Sequence, residues 1–257
     1  MEGIVKLNIL QFSLIYLLLI IVLVILRKSK VKQSKLLIIA SIRMTVQLIL
    51  AGLILTYIFE NKHPLFTMIY LLAMIVFAIY RILSKNKGLN TQFKIRIAVS
   101  MVFSGLFVLC FFVIVVVRKS IFNPQYTIPI AGMIIGNSMT GITLGLKTFT
   151  ENVKGQRAQI ESLINLGVHP KQILLPFANS ALETALLPTL NSMLGLGIIY
   201  LPGMMTGQIL SGTLPMTAIM YQIAIMIAIC TSVSLTTFCA LYWGYRTLYN
   251  NDMQIKI

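Results

Sequence analysis

Seven apolar stretches alternate with short polar intervals along this chain. A hydrocarbon core of about 30 Å takes roughly 20 helical residues, and the windows 7–26, 36–59, 65–83, 97–117, 126–146, 172–200 and 217–244 reach that length. Short intervals between them predict antiparallel neighbours in an all-α bundle. The longest polar interval, 147–176, differs in kind. It holds Glu151 and Glu161, two of the six acidic residues, and its apolar positions Val153, Ile160, Leu163 and Ile164 recur near the helical period. Thr148 with Glu151 fits a capping box, Arg157 and Glu161 are spaced for an i,i+4 pair, and Gly167 and Pro170 supply a stop. The pattern predicts a short amphipathic helix over about 150–166.

Composition turns this pattern into a class. With 58% hydrophobic and 11% charged residues, the chain reads as an integral membrane protein, one transmembrane domain over 1–257. A net charge of +15 would suggest nucleic acid in a soluble protein. Here the cations sit in short loops beside apolar runs, so they read as topology signals and no nucleic-acid partner is expected. With the N-terminus outside, sixteen lysines and arginines fall in the inner segments, around 27–35, 81–96, 147–171 and 246–256; only Lys6, Lys62, Arg118 and Lys119 fall outside. That bias puts the 147–176 interval and the C-terminus in the cytosol. The first window is too long for a signal-peptide core and is followed by a cluster of cations, so it is expected to remain as a span. Cys110, Cys230 and Cys239 all lie in apolar runs and read as small buried hydrophobes.

Candidate chemistry is sparse. His63 and His169 are far apart and lack metal-ligand spacing. The run 141–148 carries the first glycine, the lysine and the threonine of a phosphate-binding loop, but Leu146 stands where that loop requires glycine. No catalytic constellation is found, and the chain is not expected to be an enzyme or to hold a cofactor itself. Polar residues within spans carry more weight, because a charge at mid-bilayer costs about 2.5–3.5 kcal/mol on insertion scales. Glu183, with Asn179 four residues before it and Asn191 eight after, predicts an inward polar stripe on a span that Pro176 and Pro188 can kink. Arg43 and Gln47, one turn apart on the second span, are the matching candidates, Arg43 either pairing with Glu183 or snorkelling to the surface. Asn137 adds a small polar face to the fifth span. Between 200 and 216, Pro202, Gly203, Gly207, Gly212 and Pro215 would interrupt a helix, yet Ile209 and Leu210 are too apolar for a solvated loop. A packed or partly re-entrant outer segment is expected. Met204, Met205, Met193, Met133 and Met139 could offer thioethers to a soft metal, but packing accounts for them equally well, and no metal site is assigned.

The runs Ile-Pro-Ile-Ala-Gly-Met-Ile-Ile-Gly-Asn-Ser-Met (128–139), Ser-Leu-Ile-Asn-Leu-Gly-Val-His-Pro-Lys-Gln (162–172) and Leu-Pro-Gly-Met-Met-Thr-Gly-Gln-Ile-Leu-Ser-Gly (201–212), with Tyr221 and Gln222 beyond, resemble the FetB-type permeases of ABC transporters. That family includes bacterial iron-export permeases and the membrane subunits of plant aluminium-tolerance transporters. The match is close over about 126–250 and only topological before that. It implies a permease in the plasma or inner membrane, two copies working with two copies of a separate cytosolic ATPase that binds ATP and Mg. It also implies iron or another metal as cargo and the 150–166 helix as the coupling helix, through Arg157, Ile160, Glu161, Ile164 and Gly167. The spacing of Glu161 and Gly167 is similar to that of the loop by which importer permeases meet their ATPase, although the residues after it depart from that pattern. On this view Glu183, Asn179, Asn191, Arg43, Gln47 and Asn137 line the pathway, and Pro202, Gly203, Met204, Met205, Gly207 and Gln208 form the outer gate. Two other readings stay open: a permease for another substrate such as a nucleotide sugar, and an ATP-independent carrier with Glu183 as its proton-coupling site.

Overall fold

The computed structural model describes residues 8–61, 63–86 and 88–249; Lys6, Lys62, Lys87 and Lys256, counted above, lie outside the described residues, as does Leu7 of the first window. Helices α1 (Ile9–Leu14) and α2 (Tyr16–Lys28) run on through Ile15 as one apolar stretch. They are followed by α3 (Ser34–Glu60), α4 (Pro64–Lys85) and α5 (Thr91–Cys110), which continues as a π-helical turn (Phe111–Val116). Then come α6 (Pro124–Gly155), α7 (Arg157–Asn165), α8 (Pro170–Gly195), α9 (Gly203–Leu210) and α10 (Pro215–Gly244), which tightens into a 3₁₀ turn (Tyr245–Thr247). Among the described residues, seven helical stretches are long and apolar enough to cross a membrane, as the hydropathy pattern predicts.

Four spans begin the same way, with proline in the first turn, where the missing N–H costs no hydrogen bond. The residue before the proline caps three of them. Nδ1 of His63 accepts the Leu65 N–H at 3.2 Å, Oδ1 of Asn123 accepts that of Gln125 at 3.2 Å, and Nδ1 of His169 accepts that of Lys171 at 3.1 Å. Both histidines therefore act as helix caps.

The chain divides into two compact units. One holds α1–α3 and the 210–213 segment. Within it α2 has no buried residue, as expected of a helix whose surroundings are lipid, and the Tyr16 hydroxyl meets that of Thr45 on α3. The second unit holds α4–α8, most of α9, and α10. Its core runs along α6, where Ile134, Ile142, Leu146 and Phe149 are essentially fully buried.

A seam of small residues locks α6 to its neighbours. A Cβ added to Gly141 would lie 2.6 Å from Cγ1 of Val233 on α10 and 3.1 Å from the carbonyl of Ala185 on α8; one on Gly145 would lie 3.0 Å from the carbonyl of Ala181. Gly141 and Gly145 thus face Ala181 and Ala185, each pair four residues apart, so the backbones approach closely, the way small residues pack helices in membranes. The fragment that mimics a phosphate-binding loop is in fact a helix-packing motif. Beside it the buried hydroxyls of Ser138 and Ser232 join α6 to α10 at 2.8 Å. At the far end of α10, Gly244 makes room for the buried ring of Phe93, which would lie 1.9 Å from an added Cβ.

Three expectations need correction. Thr148 does not start a helix: α6 runs unbroken through it to Gly155, because no glycine, proline or loop interrupts 146–154, and Glu151 instead pairs with Lys147 one turn earlier at 3.8 Å. The amphipathic helix is accordingly α7, Arg157–Asn165, shorter than 150–166. The sixth span ends at Gly195 rather than near residue 200, since Gly197 takes a left-handed φ of +80° and Tyr200 folds back, its ring on Gly195 and its hydroxyl on the carbonyl of Ser192. Between 200 and 216 the helix is interrupted as expected, before Gly203 and again at 211–214, where Gly212 has φ +96°, but Gly203 begins the short helix α9 and Gly207 lies within it, so these two glycines do not break it.

Candidate functional site

The lipid-crossing helices of the second unit differ in what they expose. Helices α4 and α5 present large apolar side chains, among them Leu72, Val76, Val99 and Phe103. Between Phe122 and Leu166, no large hydrophobic side chain among the described residues is exposed. Helix α6 instead shows Gln125, Pro129, Asn137, Thr140 and Lys147, and α8 shows Asn179, Ser180, Glu183 and Asn191 alongside Leu187 and Leu190. A lipid-facing surface is not built this way.

Glu183 is the centre of this face. It lies about 20 Å along a helix about 39 Å long, at 1.5 Å per residue. It is two positions from both Ala181 and Ala185, the residues that pack on α6, and so lies about 200° round the helix from each. The stripe that the sequence places inside the bundle therefore points away from it: Asn179, Glu183 and Asn191 are all exposed. The reason is the seam itself, because α8 spends its small side on α6 and leaves its polar side outward. Within its own unit Glu183 has neither a hydrogen-bond nor an ion-pair partner among the described residues, whereas Asn179 accepts a short hydrogen bond from the Tyr242 hydroxyl of α10. Asn137 donates to the carbonyl of Met133 at 2.8 Å and Thr140 to that of Gly136 at 3.1 Å, so both are satisfied within α6. Inside α8, Pro188 has no N–H for the carbonyl of Thr184, next to Glu183, and Pro176 has none for that of Gln172.

Arg43 and Gln47 lie one turn apart on α3, in the first unit, both exposed. In the segment proposed as outer gate, Met205 is buried, Met204 and Gln208 are half-buried, and the N–H and hydroxyl of Thr206 both donate to the Pro202 carbonyl, at 2.9 and 3.0 Å. Met133 and Met139 pack against the core and Met193 is exposed.

The connection between α6 and α8 is the third part of the site. On α7, Ile160 is buried while Leu163 and Ile164 pack half-buried against the core. The opposite face carries Arg157 and Glu161, joined at 2.8 Å and mostly exposed. The helix ends in a Schellman turn: the Val168 N–H reaches the Leu163 carbonyl at 3.0 Å and the Gly167 N–H that of Ile164 at 2.9 Å, with Gly167 at φ +81°. Gly167 shapes the end of α7, and contributes no side chain to its exposed face. Sequence reasoning missed Tyr242 and the glycine–alanine seam; the four-residue spacing of Gly141 and Gly145 is the signal that would have found the latter.

These features define a multi-pass α-helical membrane protein with a carboxylate-bearing polar face on one span and an exposed amphipathic connector between that span and its neighbour. The composition, fold and comparisons agree on a narrower placement. The chain belongs to the uncharacterised protein family UPF0014, whose model matches residues 9–249. It is 32% identical over 251 residues to the UPF0014 membrane protein YjkA of Bacillus subtilis, covering 96% of this chain and 98% of that one. It is also 32% identical over 248 residues to the probable iron export permease protein FetB of Escherichia coli (96% and 94%), and 28% identical over 214 residues to the protein ALUMINUM SENSITIVE 3 of Arabidopsis thaliana (83% and 77%). No solved structure matches the chain. The FetB-type resemblance read from three short runs is borne out, and it extends over the N-terminal half as well.

Proposed function

We propose that this chain is the membrane-spanning permease subunit of an ABC transporter that exports a metal cation, iron being the first candidate, across the plasma or inner membrane. In this reading its N-terminus is outside and its C-terminus cytosolic. Two copies work with two copies of a separate ATPase, which binds ATP and Mg. The observation that carries the reading is Glu183. A carboxylate at mid-span, turned away from its own bundle and flanked by the amides of Asn179 and Asn191, is too costly to leave in lipid. A second copy of α8 facing it across a two-fold axis would enclose a path lined by carboxylate and amide oxygens, ligands that suit cations. The name of the Escherichia coli relative supports transport, and iron as cargo, for that protein. The 202–208 segment would gate the path outside, and α7 would receive the stroke of the ATPase.

The test is to co-express the chain with a candidate ABC ATPase subunit, reconstitute the complex in liposomes, and measure ATP hydrolysis against a panel of metal cations and nucleotide sugars. Stimulation by ferrous iron or a related divalent ion is expected. A response confined to sugars would sink the cation assignment, and uptake driven by a proton gradient without any ATPase would replace the reading with the carrier.

A further inference from the structure

Away from the α8 face, the end of α4 and the second half of α6 border an open recess of about 220 Å³, lined by Lys85, Asn86, Lys147, Thr150, Glu151 and Lys154 among others. Three lysines and one glutamate line it. Lys147, Glu151 and Lys154 stand at i, i+4 and i+7, hence on one face of α6. The contact of Lys147 with Glu151 is long, 3.8 Å, and both side chains are about two-thirds exposed (67% and 65%). The carboxylate therefore orients a lysine without neutralising the recess. The depth is informative too. Lys85 is the last residue of α4, and Lys147 directly follows Leu146, the last apolar residue of its window. Both mark the level at which an apolar span meets the polar boundary, where lipid phosphates lie. The Thr150 hydroxyl and the lysine ammonium groups are donors at that level, and basic pockets between spans on the cytoplasmic side are known to take lipid head groups.

We propose that this recess binds the phosphate of an anionic phospholipid headgroup. The chemistry would also accept free phosphate, and the depth selects the lipid. Each lysine near an anionic lipid surface is worth about 5-fold in affinity, so removal of two should weaken binding about 30-fold.

The experiment is native mass spectrometry of the purified full chain in detergent, titrated with phosphatidylglycerol, with phosphatidylcholine, and with phosphatidylglycerol plus inorganic phosphate. The wild type should retain phosphatidylglycerol in preference to phosphatidylcholine. K147Q/K154Q should lose about 30-fold, while E151Q, which removes the one negative charge, should tighten binding about 5-fold. That opposite sign separates a bound anion from a folding defect. Lys171→Gln, a basic residue outside the recess, should change binding less than 2-fold. An equal loss with Lys171→Gln, or no preference for phosphatidylglycerol in the wild type, would overturn the site. Displacement of the lipid by inorganic phosphate at equal concentration would reassign the recess to free phosphate and overturn the lipid proposal.

Discussion

Glu183 is the residue whose surroundings least resemble what its neighbours need. Next to it Asn179 is held by Tyr242, and across the face Asn137 and Thr140 bond to their own helix; the carboxylate has no partner for its charge among the described residues of its unit. If it served packing, neutralising it would disturb the fold. If it lines the path, neutralisation should leave the fold intact and weaken only the step in which cargo replaces water on the carboxylate. Glu183→Gln is therefore expected to leave the melting temperature unchanged or raise it, and to lower cargo-stimulated ATP hydrolysis by at least about 10-fold, the worth of one hydrogen bond to a charged group. Thermal unfolding and hydrolysis measured on the same preparation decide it, because a drop in melting temperature with hydrolysis preserved would make Glu183 a packing residue. The sequence makes Glu183 conspicuous, since charges inside apolar windows are rare, but its direction is not legible there. Direction depends on which side of α8 holds the small residues, and alanines at 181 and 185 attract no notice until the glycines opposite them are seen.

At the scale of elements, hydropathy alone locates all seven spans, because about 20 apolar residues have few other uses. What it misplaces are ends. The C-terminal end of α6 lies nine residues beyond its window and that of α8 five residues short, since hydropathy reports where lipid stops, while a helix stops where a cap or a left-handed glycine ends it. The seam between α6, α8 and α10 is the element-scale feature most open to test. Val233 is fully buried, so it cannot swing away from a methyl group placed 2.6 Å from it, and overpacking of this kind costs about 1–3 kcal/mol. Gly141→Ala should lower the melting temperature by several degrees, on the order of 2–4 °C per kcal/mol for a chain this long. Val233→Ala introduced with it should cost less than the sum of the two single changes, because the second removes the atom with which the first collides. Strict additivity across that double-mutant cycle would show that the two helices do not meet at this point.

Across the whole second unit, one continuous path joins the exposed connector to the polar face. Helix α6 spans 32 residues without a break, about 48 Å at 1.5 Å per residue, so it crosses a 30 Å core and stands well clear of it. Helix α7 connects its end to α8 with Ile160 buried in the core, and the glycine–alanine seam ties α6 to α8 beside Glu183. If α7 receives a push from a partner, that push would reach the two helices that carry the polar face across only Gln156 on one side and the short turn 166–169 on the other. Arg157 and Glu161 occupy the side of α7 that faces away from the core, where an ATPase would dock. Their mutual attraction contributes only about 0.2–0.5 kcal/mol to the helix, and the like-charge pair that a reversal of Arg157 would create costs a similar amount, so the change should cost at most about 1 kcal/mol. Arg157→Glu is expected to abolish co-purification of the ATPase while lowering the melting temperature by less than about 4 °C. Exchanging the pair, Arg157→Glu with Glu161→Arg, restores the intrahelical attraction but presents the reverse charge pattern, and should fail to recover the partner. If either variant retains the ATPase as well as the wild type does, α7 is not the coupling element, and the path from connector to carboxylate has no input.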